Sequence, residues 1–368
     1  MNEDRIKTVE KLLDEGKLHA LILIPGPTFN YLTGWHFHLD ERPKVLILTK
    51  NAEPVLILPE FESGALSGET APVKTFPYSE NTETWPAVFQ QACDAAGLPG
   101  KKVSIEPLHM RATELFLLQE ASPTTQFLPA SASLGSLRMQ KDEKEIGKMR
   151  KAAQIAQNAF RATLPSIKVG VTEKEIASEL VLQLLQHGSD PDIGFFPIVA
   201  SGPNGANPHA MPSDRHFSPG DLVVIDWGAR FEGYCSDITR TLAIGGISPE
   251  LEKYAQIVAD ANKAGRHAAK SGVKAGDVDR ATRDVIEKAG YGQYFTHRTG
   301  HGLGTEVHEP PYITAESDLI LKNGMTFTVE PGIYISGYMG IRIEDDVIVR
   351  DQGGESLTDL PRELIKIY

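Results

Sequence analysis

The sequence predicts an α/β domain followed by a larger α+β domain. At 368 residues the chain exceeds the usual size of one domain, so two domains are expected. The first third alternates helical periodicity with short apolar runs that end at Gly and Pro, a pattern typical of an α/β unit. The remainder holds longer helical segments separated by strands rich in β-branched residues, which favours an α+β arrangement.

The N-terminal domain is predicted to span residues 1–134. Two of its apolar runs are separated by the short polar segment Lys50-Asn51-Ala52-Glu53, which predicts a hairpin. The predicted helices lie at 3–15 and 85–96, and the predicted strands at 19–24, 45–49, 54–58 and 102–106.

The second domain is predicted to span residues 138–368. The composition shifts toward charged residues near 140–151, which indicates the solvated start of a helix. The predicted helices lie at 142–164, 172–187, 249–270 and 277–289, and the predicted strands at 222–226, 327–330 and 341–349.

The composition excludes several classes of protein. With 49 acidic against 37 basic residues the net charge is -12, and no run of Lys and Arg occurs, so nucleic acid is not an expected partner. The longest apolar stretches have strand length and the charged start lacks an apolar signal region, so neither a membrane span nor secretion is expected. Cys93 and Cys235 lie far apart, which fits a reducing compartment. We therefore expect a cytoplasmic protein.

Two aspartates are predicted to share one face of a hairpin. Asp226 ends an apolar strand, and Asp237 lies a few residues after Gly233. If the chain reverses between Phe231 and Glu232, the two aspartates fall directly opposite each other. Opposed residues in an antiparallel pair point to the same side of a sheet, so both carboxylates would enter one space.

Two glutamates are predicted to face each other in the same way. A turn centred on Gly337 places Glu330 opposite Glu344. Four carboxylates in one protected cavity would repel strongly, and some would have to take up protons. Two divalent cations carry four positive charges and would cancel this repulsion. The charge balance therefore predicts two metal ions.

A histidine is predicted to join the same site. His301 lies in the glycine-rich segment 299–304, between His297 and His308, and glycine lets a backbone approach other groups closely. One imidazole among carboxylate oxygens favours manganese, cobalt, iron or zinc over copper. Two such ions can share and deprotonate one water at neutral pH. A single aspartate at a strand end is more often a turn cap, so the prediction depends on the joint occurrence of these residues.

With these residues in view, the sequence resembles the pita-bread metallopeptidases, in the branch that holds Xaa-Pro dipeptidase (prolidase) and aminopeptidase P. The resemblance runs from Arg138 onward, and Asn30-Tyr31-Leu32-Thr33-Gly34 is similar to the smaller N-terminal domain of that branch. The motifs that carry it are Asp226-Trp227-Gly228-Ala229, Gly233-Tyr234-Cys235-Ser236-Asp237-Ile238-Thr239-Arg240-Thr241, Thr299-Gly300-His301-Gly302-Leu303-Gly304, His308-Glu309-Pro310-Pro311, Val329-Glu330-Pro331-Gly332 and Ile341-Arg342-Ile343-Glu344-Asp345. The resemblance implies a C-terminal pita-bread catalytic domain preceded by a smaller, creatinase-like α/β domain.

The resemblance also implies a role for each candidate ligand. Asp226 would bind one ion through both oxygens, and Asp237 and Glu344 would bridge the two ions. His301 and Glu330 would complete the second ion, and Glu330 would also take the proton of the bridging water. Manganese is the expected metal, with cobalt, iron and zinc as alternatives.

Further roles are implied around the cluster. His308 would stabilise the tetrahedral intermediate or pass a proton to the leaving nitrogen, and His209 would line the cleft. Arg342 would hold a ligand carboxylate in orientation. His297 would either contact substrate or pack behind its loop. Tyr312 stands where some prolidases carry an arginine suited to the terminal carboxylate of a dipeptide.

The implied function is hydrolysis of the bond between an N-terminal residue and proline in short peptides, by a homodimer. Because Tyr312 replaces that arginine, dipeptidase and aminopeptidase P specificity both stay open. The alternatives are a hydrolase of the same fold with another substrate, such as another aminopeptidase or an enzyme with phosphoester side activity, and a non-catalytic peptide-binding module. The complete set of ligand residues argues against the module.

Overall fold

A computed structural model of the chain describes residues 1–66, 72–130 and 132–368. The chain divides into two compact units, Met1–Arg138 and Met139–Tyr368. No helix in the described part of the chain combines the length and the apolar composition that crossing a bilayer requires.

The first unit is built around a mixed sheet. Its helices are α1 (Glu3–Gly16), α2 (Pro27–Thr33), α3 (Trp85–Ala95) and α4 (Ala112–Ala121), and α5 (Ala132–Met139) follows at its end. Its strands are β1 (Ala20–Leu23), β2 (Val45–Thr49), β3 (Val55–Pro59), β4 (Lys74–Tyr78), β5 (Lys102–Ile105) and β6 (Gln126–Pro129). They are ordered β4-β3-β2-β1-β5-β6, and β2 and β3 form the predicted antiparallel hairpin.

The central strands of the first unit are buried on both faces. Ile22 and Ile47 pack into a cluster with residues of α3 and α4, whereas Leu21 and Leu46 pack into a second cluster with residues of α1 and α2. Successive side chains of a strand point to opposite faces. The continuous apolar runs of β1 and β2 therefore follow from helices that cover both faces of the sheet.

The second unit combines two pairs of helices with a four-stranded sheet, a five-stranded sheet and two two-stranded ribbons. Its helices are α6 (Glu143–Thr163), α7 (Glu173–Gln186), α8 (Pro249–Ala268) and α9 (Ala275–Lys288). Its strands are β7 (Ile198–Ser201), β8 (Leu222–Trp227), β9 (Arg230–Phe231), β10 (Tyr234–Cys235), β11 (Ile238–Ile244), β12 (Gly300–Gly302), β13 (Glu309–Ile313), β14 (Thr326–Val329), β15 (Gly332–Ile335), β16 (Met339–Arg342), β17 (Asp345–Ile348), β18 (Glu355–Ser356) and β19 (Ile365–Ile367).

The two larger sheets of the second unit pack against different helices. One sheet has the order β19-β11-β8-β7, and its buried residues form a cluster with residues of α6 and α7. The other has the order β13-β12-β14-β17-β18 and packs against α9, while the β15–β16 ribbon packs against α8. Side-chain capping boxes at Asp142 and Thr172 fix where α6 and α7 begin.

The predicted register between Asp226 and Asp237 was wrong by two residues. Thr239, not Asp237, is paired with Asp226 in the β8–β11 ladder. The chain reverses between Glu232 and Gly233, whose φ angles of 47° and 81° are the positive values that a tight hairpin turn requires at both central residues. Because the shift is an even number of residues, Asp237 stays on the predicted face of the hairpin, diagonal to Asp226.

The predicted register between Glu330 and Glu344 is confirmed. Gly332 pairs with Arg342 on one side of the two glutamates, and Val329 pairs with Asp345 on the other. The turn is centred on Gly337, where φ is 71°. Glu330 and Glu344 therefore lie at the break between two ladders of common register, where the side chains leave regular strands.

Glu173 anchors the loop that carries His209. Its carboxylate, fully buried at the start of α7, accepts hydrogen bonds from the backbone N–H of Ser201 at 2.7 Å and of Ser213 at 2.9 Å. The hydroxyls of both serines and the amide of Asn204 also donate to it. One carboxylate thus fixes both ends of segment 201–213.

Replacing Glu173 with Gln is expected to lower the free energy of unfolding by about 2–4 kcal/mol, because the new NH2 group would face donors and leave buried groups unsatisfied. Urea denaturation followed by circular dichroism measures the change. Glu175→Gln is the matched control in the same helix, because Glu175 is exposed and Gln keeps the oxygen that accepts from Thr172. Equal losses in the two variants would contradict the anchoring role.

Candidate metal centre and active site

The five predicted ligand residues come together in the second unit. Asp226 lies on β8 and His301 on β12, and the other three lie where strands begin or end. His301 Nε2 is 3.7 Å from Asp237 Oδ2 and 3.4 Å from Glu330 Oε1. Asp237, His301 and Glu344 each offer one ligand atom, and these atoms lie within 4.8 Å of one another.

The acids of the cluster disfavour one another's charge. Burial, followed by repulsion from neighbouring carboxylates, raises the pKa of Asp237 and of Glu344 well above the usual range. Burial also raises the pKa of Glu330 to about 7, and the charge of Asp226 adds to the shift. The protein by itself therefore holds protons in this cluster at pH values where exposed acids are ionised.

Two oxygens of the cluster have no hydrogen-bond donor. Asp226 Oδ1 and Asp237 Oδ1 are buried and unpartnered among the described residues. Buried polar atoms without a partner are costly and uncommon. Carboxylate oxygens beside one imidazole nitrogen are a donor set for hard or borderline divalent cations. The residues therefore fit a divalent metal centre.

His301 is prepared as a neutral nitrogen donor. Burial and then the nearby His308 ring lower its pKa well below the usual value. Its Nδ1 lies 3.2 Å from the carbonyl oxygen of Gly302, which assigns the hydrogen to Nδ1. The Nε2 lone pair is then directed toward the carboxylates of Asp237 and Glu330.

Donors behind the cluster hold its carboxylates in place. Arg342 donates from Nη2 to Asp226 Oδ2 at 2.6 Å, and Thr239 donates from its hydroxyl to Glu344 Oε2 at 2.6 Å. Arg342 Nε also donates to the Thr239 hydroxyl at 3.1 Å. The same guanidinium thus orients one acid directly and another through the hydroxyl.

His297 has both ring nitrogens engaged by the protein. The Tyr334 hydroxyl accepts from Arg342 Nη1 and donates to His297 Nε2, each at 2.9 Å. Nδ1 then donates to the carbonyl oxygen of Arg298 at 2.7 Å. Burial and the positive charge of Arg342 lower the pKa of His297 to about 4, so its ring is neutral. With both ring nitrogens bonded to the protein, His297 has no free nitrogen for a substrate. Of the two roles left open by the sequence, this arrangement favours packing behind its loop.

The remaining predicted residues lie on the open side of the cluster. The His308 ring is 4.1 Å from the His301 ring, centroid to centroid, and His308 is exposed. His209 is also exposed, and it lies within electrostatic range of His297 and His308. Tyr312 is paired with His301 across the β12–β13 ladder and is 39% exposed. These three side chains are accessible to a substrate that enters from solvent.

Several contributing residues were not found from the sequence. Asp346 is fully buried, and its carboxylate accepts the backbone N–H of Asp237 at 3.1 Å. Thr239 and Tyr334 link Arg342 to the cluster. The sequence signal for Asp346 was an acid in an apolar strand, and that for Thr239 was its place in the motif around Asp237. Tyr334 had no comparable signal, because aromatic residues are common in strands.

Comparison with known proteins shows the family to which this chain belongs. The model of metallopeptidase family M24 matches residues 147–351, and that of the creatinase/prolidase N-terminal domain matches residues 5–140. The Xaa-Pro dipeptidase of Lactobacillus delbrueckii subsp. lactis is 33% identical, with 99% of this chain and 98% of that protein covered. The chain therefore belongs to metallopeptidase family M24.

Solved structures of related proteins have the same fold over nearly the whole length of this chain. A dipeptidase from Pyrococcus horikoshii OT3 is 39% identical, with a TM-score of 0.91 and coverage of 99% of this chain and all of that one. The recombinant prolidase of Thermococcus sibiricus is 36% identical, with a TM-score of 0.94 and full coverage of both chains. The predicted fold, a creatinase-like domain followed by a pita-bread domain, is confirmed, and so is the metallopeptidase class. Membership of this family implies divalent metal ions.

The stability of the metal-free protein is expected to fall as pH rises from about 7 to about 8, because unfolded carboxyl groups and histidines have already lost their protons there whereas the clustered acids, whose pKa values are raised, still hold theirs. In that window the folded protein binds more protons than the unfolded chain, so deprotonation favours unfolding. Thermal melts of chelator-treated protein at each pH measure the effect.

A saturating divalent metal should raise the melting temperature more at the higher pH, because the cation replaces those protons. Asp237→Asn with Glu344→Gln is the control, since carboxamides do not titrate and the pH dependence should flatten. A metal-free melting temperature that stays constant or rises over this range would contradict the raised pKa values.

Proposed function

We propose that this chain is a dinuclear-metal peptidase that hydrolyses the bond between an N-terminal residue and proline. The observation that carries the proposal is the buried cluster of Asp237, His301 and Glu344, with Asp226 and Glu330 beside it. The names of similar proteins, Xaa-Pro dipeptidase and prolidase, support the choice of substrate.

The five clustered side chains would hold the ions. Asp226 would serve one ion, Asp237 and Glu344 would serve both, and His301 and Glu330 would serve the other. Manganese is the proposed metal, with cobalt, iron and zinc as alternatives of similar ligand preference. Divalent ions bound there would polarise the scissile carbonyl group and lower the pKa of a water.

Glu330 is suited to move a proton. Among the described residues only the Thr328 hydroxyl donates to its partly buried carboxylate, at 3.3 Å. A carboxylate that few donors hold can accept a proton from a water within its reach. Glu330 would therefore take the proton of the attacking water.

The histidines on the open side would act on the departing proline. His308 lies beside the His301 ring and is exposed, so it can pass a proton to the prolyl nitrogen. His209, on the loop anchored by Glu173, would line the same side of the cleft. Arg342 would keep Asp226 oriented toward the metal and the free amine of the substrate.

Proline suits such a site for a physical reason. It has no backbone N–H, so peptidases that bind their substrates as β-strands lose a hydrogen bond at an Xaa-Pro bond. A metal-centred attack on the carbonyl carbon needs no hydrogen bond from that nitrogen. The substrates would be short peptides that begin Xaa-Pro.

We also propose a cellular compartment and an oligomeric state for the protein. Cys93 and Cys235 are both free and buried, which supports a reducing compartment such as the cytoplasm. We propose a homodimer on the resemblance to the family.

Protein stripped of metal and reloaded with manganese is expected to hydrolyse Ala-Pro and to leave Ala-Ala largely intact. Proline release is measured by chromatography at fixed metal occupancy. Chelator-treated protein is the control, because loss of the ions removes the polarisation of the carbonyl group. Absence of hydrolysis of every Xaa-Pro peptide by fully loaded protein would reject the proposal.

Replacing His308 with Ala is expected to lower kcat by about 10²- to 10⁴-fold, the usual contribution of a positioned acid or base. Metal content, measured by mass spectrometry, should be unchanged because His308 is not among the proposed ligands. His187→Ala is the matched control, since His187 is exposed and its Nδ1 bonds only to its own helix carbonyl. A wild-type kcat in the His308 variant would remove it from the mechanism.

A further inference from the structure

Arg298 holds an unpaired positive charge beside the acidic cluster. It precedes β12 by two residues and lies three residues before His301. Its side chain is half-buried, and no carboxylate of the described residues forms an ion pair with it. The nearby arginines differ, since Arg283 is paired with Asp279 at 3.0 Å and Arg342 with Asp226 at 2.6 Å. A guanidinium without an anion in an acidic protein is available to a ligand.

Tyr312 fixes where this charge lies. The Arg298 guanidinium carbon is 4.5 Å from the centre of the Tyr312 ring, within the range of a cation–π contact. Tyr312 is paired with His301 across the β12–β13 ladder, and opposed residues share a face. The guanidinium is therefore held on the face of the hairpin that carries the His301 side chain, where Tyr312 is open to solvent.

The charge of Arg298 also reaches the open side of the cluster. Desolvation of the ring by the surrounding protein is the largest cause that lowers the pKa of His308, and the positive charge of Arg298 is the second. Arg298 thus lies within electrostatic range of the residue proposed to act on the leaving nitrogen.

We propose that Arg298 binds the C-terminal carboxylate of an Xaa-Pro dipeptide and so determines the length of substrate that is cleaved, an inference that depends on the proposed function. In such a dipeptide only three bonds separate the carbonyl carbon that is attacked from the terminal carboxylate carbon, less than about 4 Å. A group that recognises this carboxylate must therefore lie beside the cluster, as Arg298 does. The planar guanidinium fork matches both oxygens of a carboxylate.

The position of Tyr312 then has a different meaning from that suggested by the sequence. An aromatic side chain at 312 does not remove the cation from this side of the cleft, because its ring supports the guanidinium of Arg298. The protein would act as a dipeptidase with the arginine supplied by the segment that precedes the neighbouring strand, β12.

The test compares Ala-Pro, Ala-Pro-amide and Ala-Pro-Ala as substrates of the manganese-loaded protein. Wild type should favour Ala-Pro over its amide, and Arg298→Ala should raise KM for Ala-Pro by about 10- to 100-fold, the usual loss of a charge-assisted hydrogen bond. The same variant should lower kcat/KM for the amide and the tripeptide far less than for Ala-Pro, because those substrates lack a carboxylate at this position. Arg298→Lys keeps the charge but not the fork, so it should recover part of the loss.

Binding of free L-proline and L-prolinamide, followed by calorimetry, gives a readout that does not depend on turnover. Arg298→Ala should weaken proline binding and leave prolinamide binding unchanged. Arg161→Ala is the matched control, because Arg161 is an exposed arginine of α6 paired with Asp359.

Two results would overturn the inference. One is a wild-type protein that cleaves Ala-Pro and its amide equally well, and the other is an Arg298→Ala variant that loses activity equally on all three peptides. If wild type cleaves no Xaa-Pro peptide at all, the proposed function fails instead. The proline and prolinamide measurements would then still decide whether Arg298 binds a carboxylate.

Discussion

Mutual repulsion among buried carboxylates is the constraint on which the second unit depends. Asp237 and Glu344 both carry pKa values raised by burial and by neighbouring acids, so each needs a donor or a cation to stay ionised. The protein supplies donors from behind, through Arg342 and Thr239, and among residues 1–66, 72–130 and 132–368 Asp237 Oδ1 has none. A divalent cation bound there would offset the repulsion, which would couple the folding free energy to metal binding.

Backbone geometry decides how closely these acids approach. The two positive φ angles at Glu232 and Gly233 fix the reversal between β10 and β9, and with it the diagonal relation of Asp226 and Asp237. The break between the ladders at Glu330 frees that side chain from the alternation of a strand. Regular hairpins thus bring the acids to one face, and their irregular ends aim the acids at one another.

The residues around the cluster divide between a fixed side and an open side. On the fixed side, hydrogen bonds run from His297 through Tyr334 to Arg342. Both ring nitrogens of His297 are engaged by the protein. On the open side, His308 is exposed, and no carboxylate in the part of the chain that the structure describes forms an ion pair with Arg298. Supporting groups are thus fully engaged with the protein, whereas groups proposed to meet the substrate keep unsatisfied hydrogen-bonding or charge capacity.

The sequence by itself determined the fold class, the hairpin register at Glu330 and Glu344, and four acids of the cluster without Asp346, because strand periodicity and charges inside apolar runs are local properties. It placed the reversal near Asp226 one residue too early, since any of several polar residues can take positive φ. Only the tertiary structure decided which hydroxyls support the acids and that Arg298 lies on Tyr312. Those contacts join residues from different strands or different arms of a hairpin, and their pairing is fixed by packing rather than by spacing along the chain.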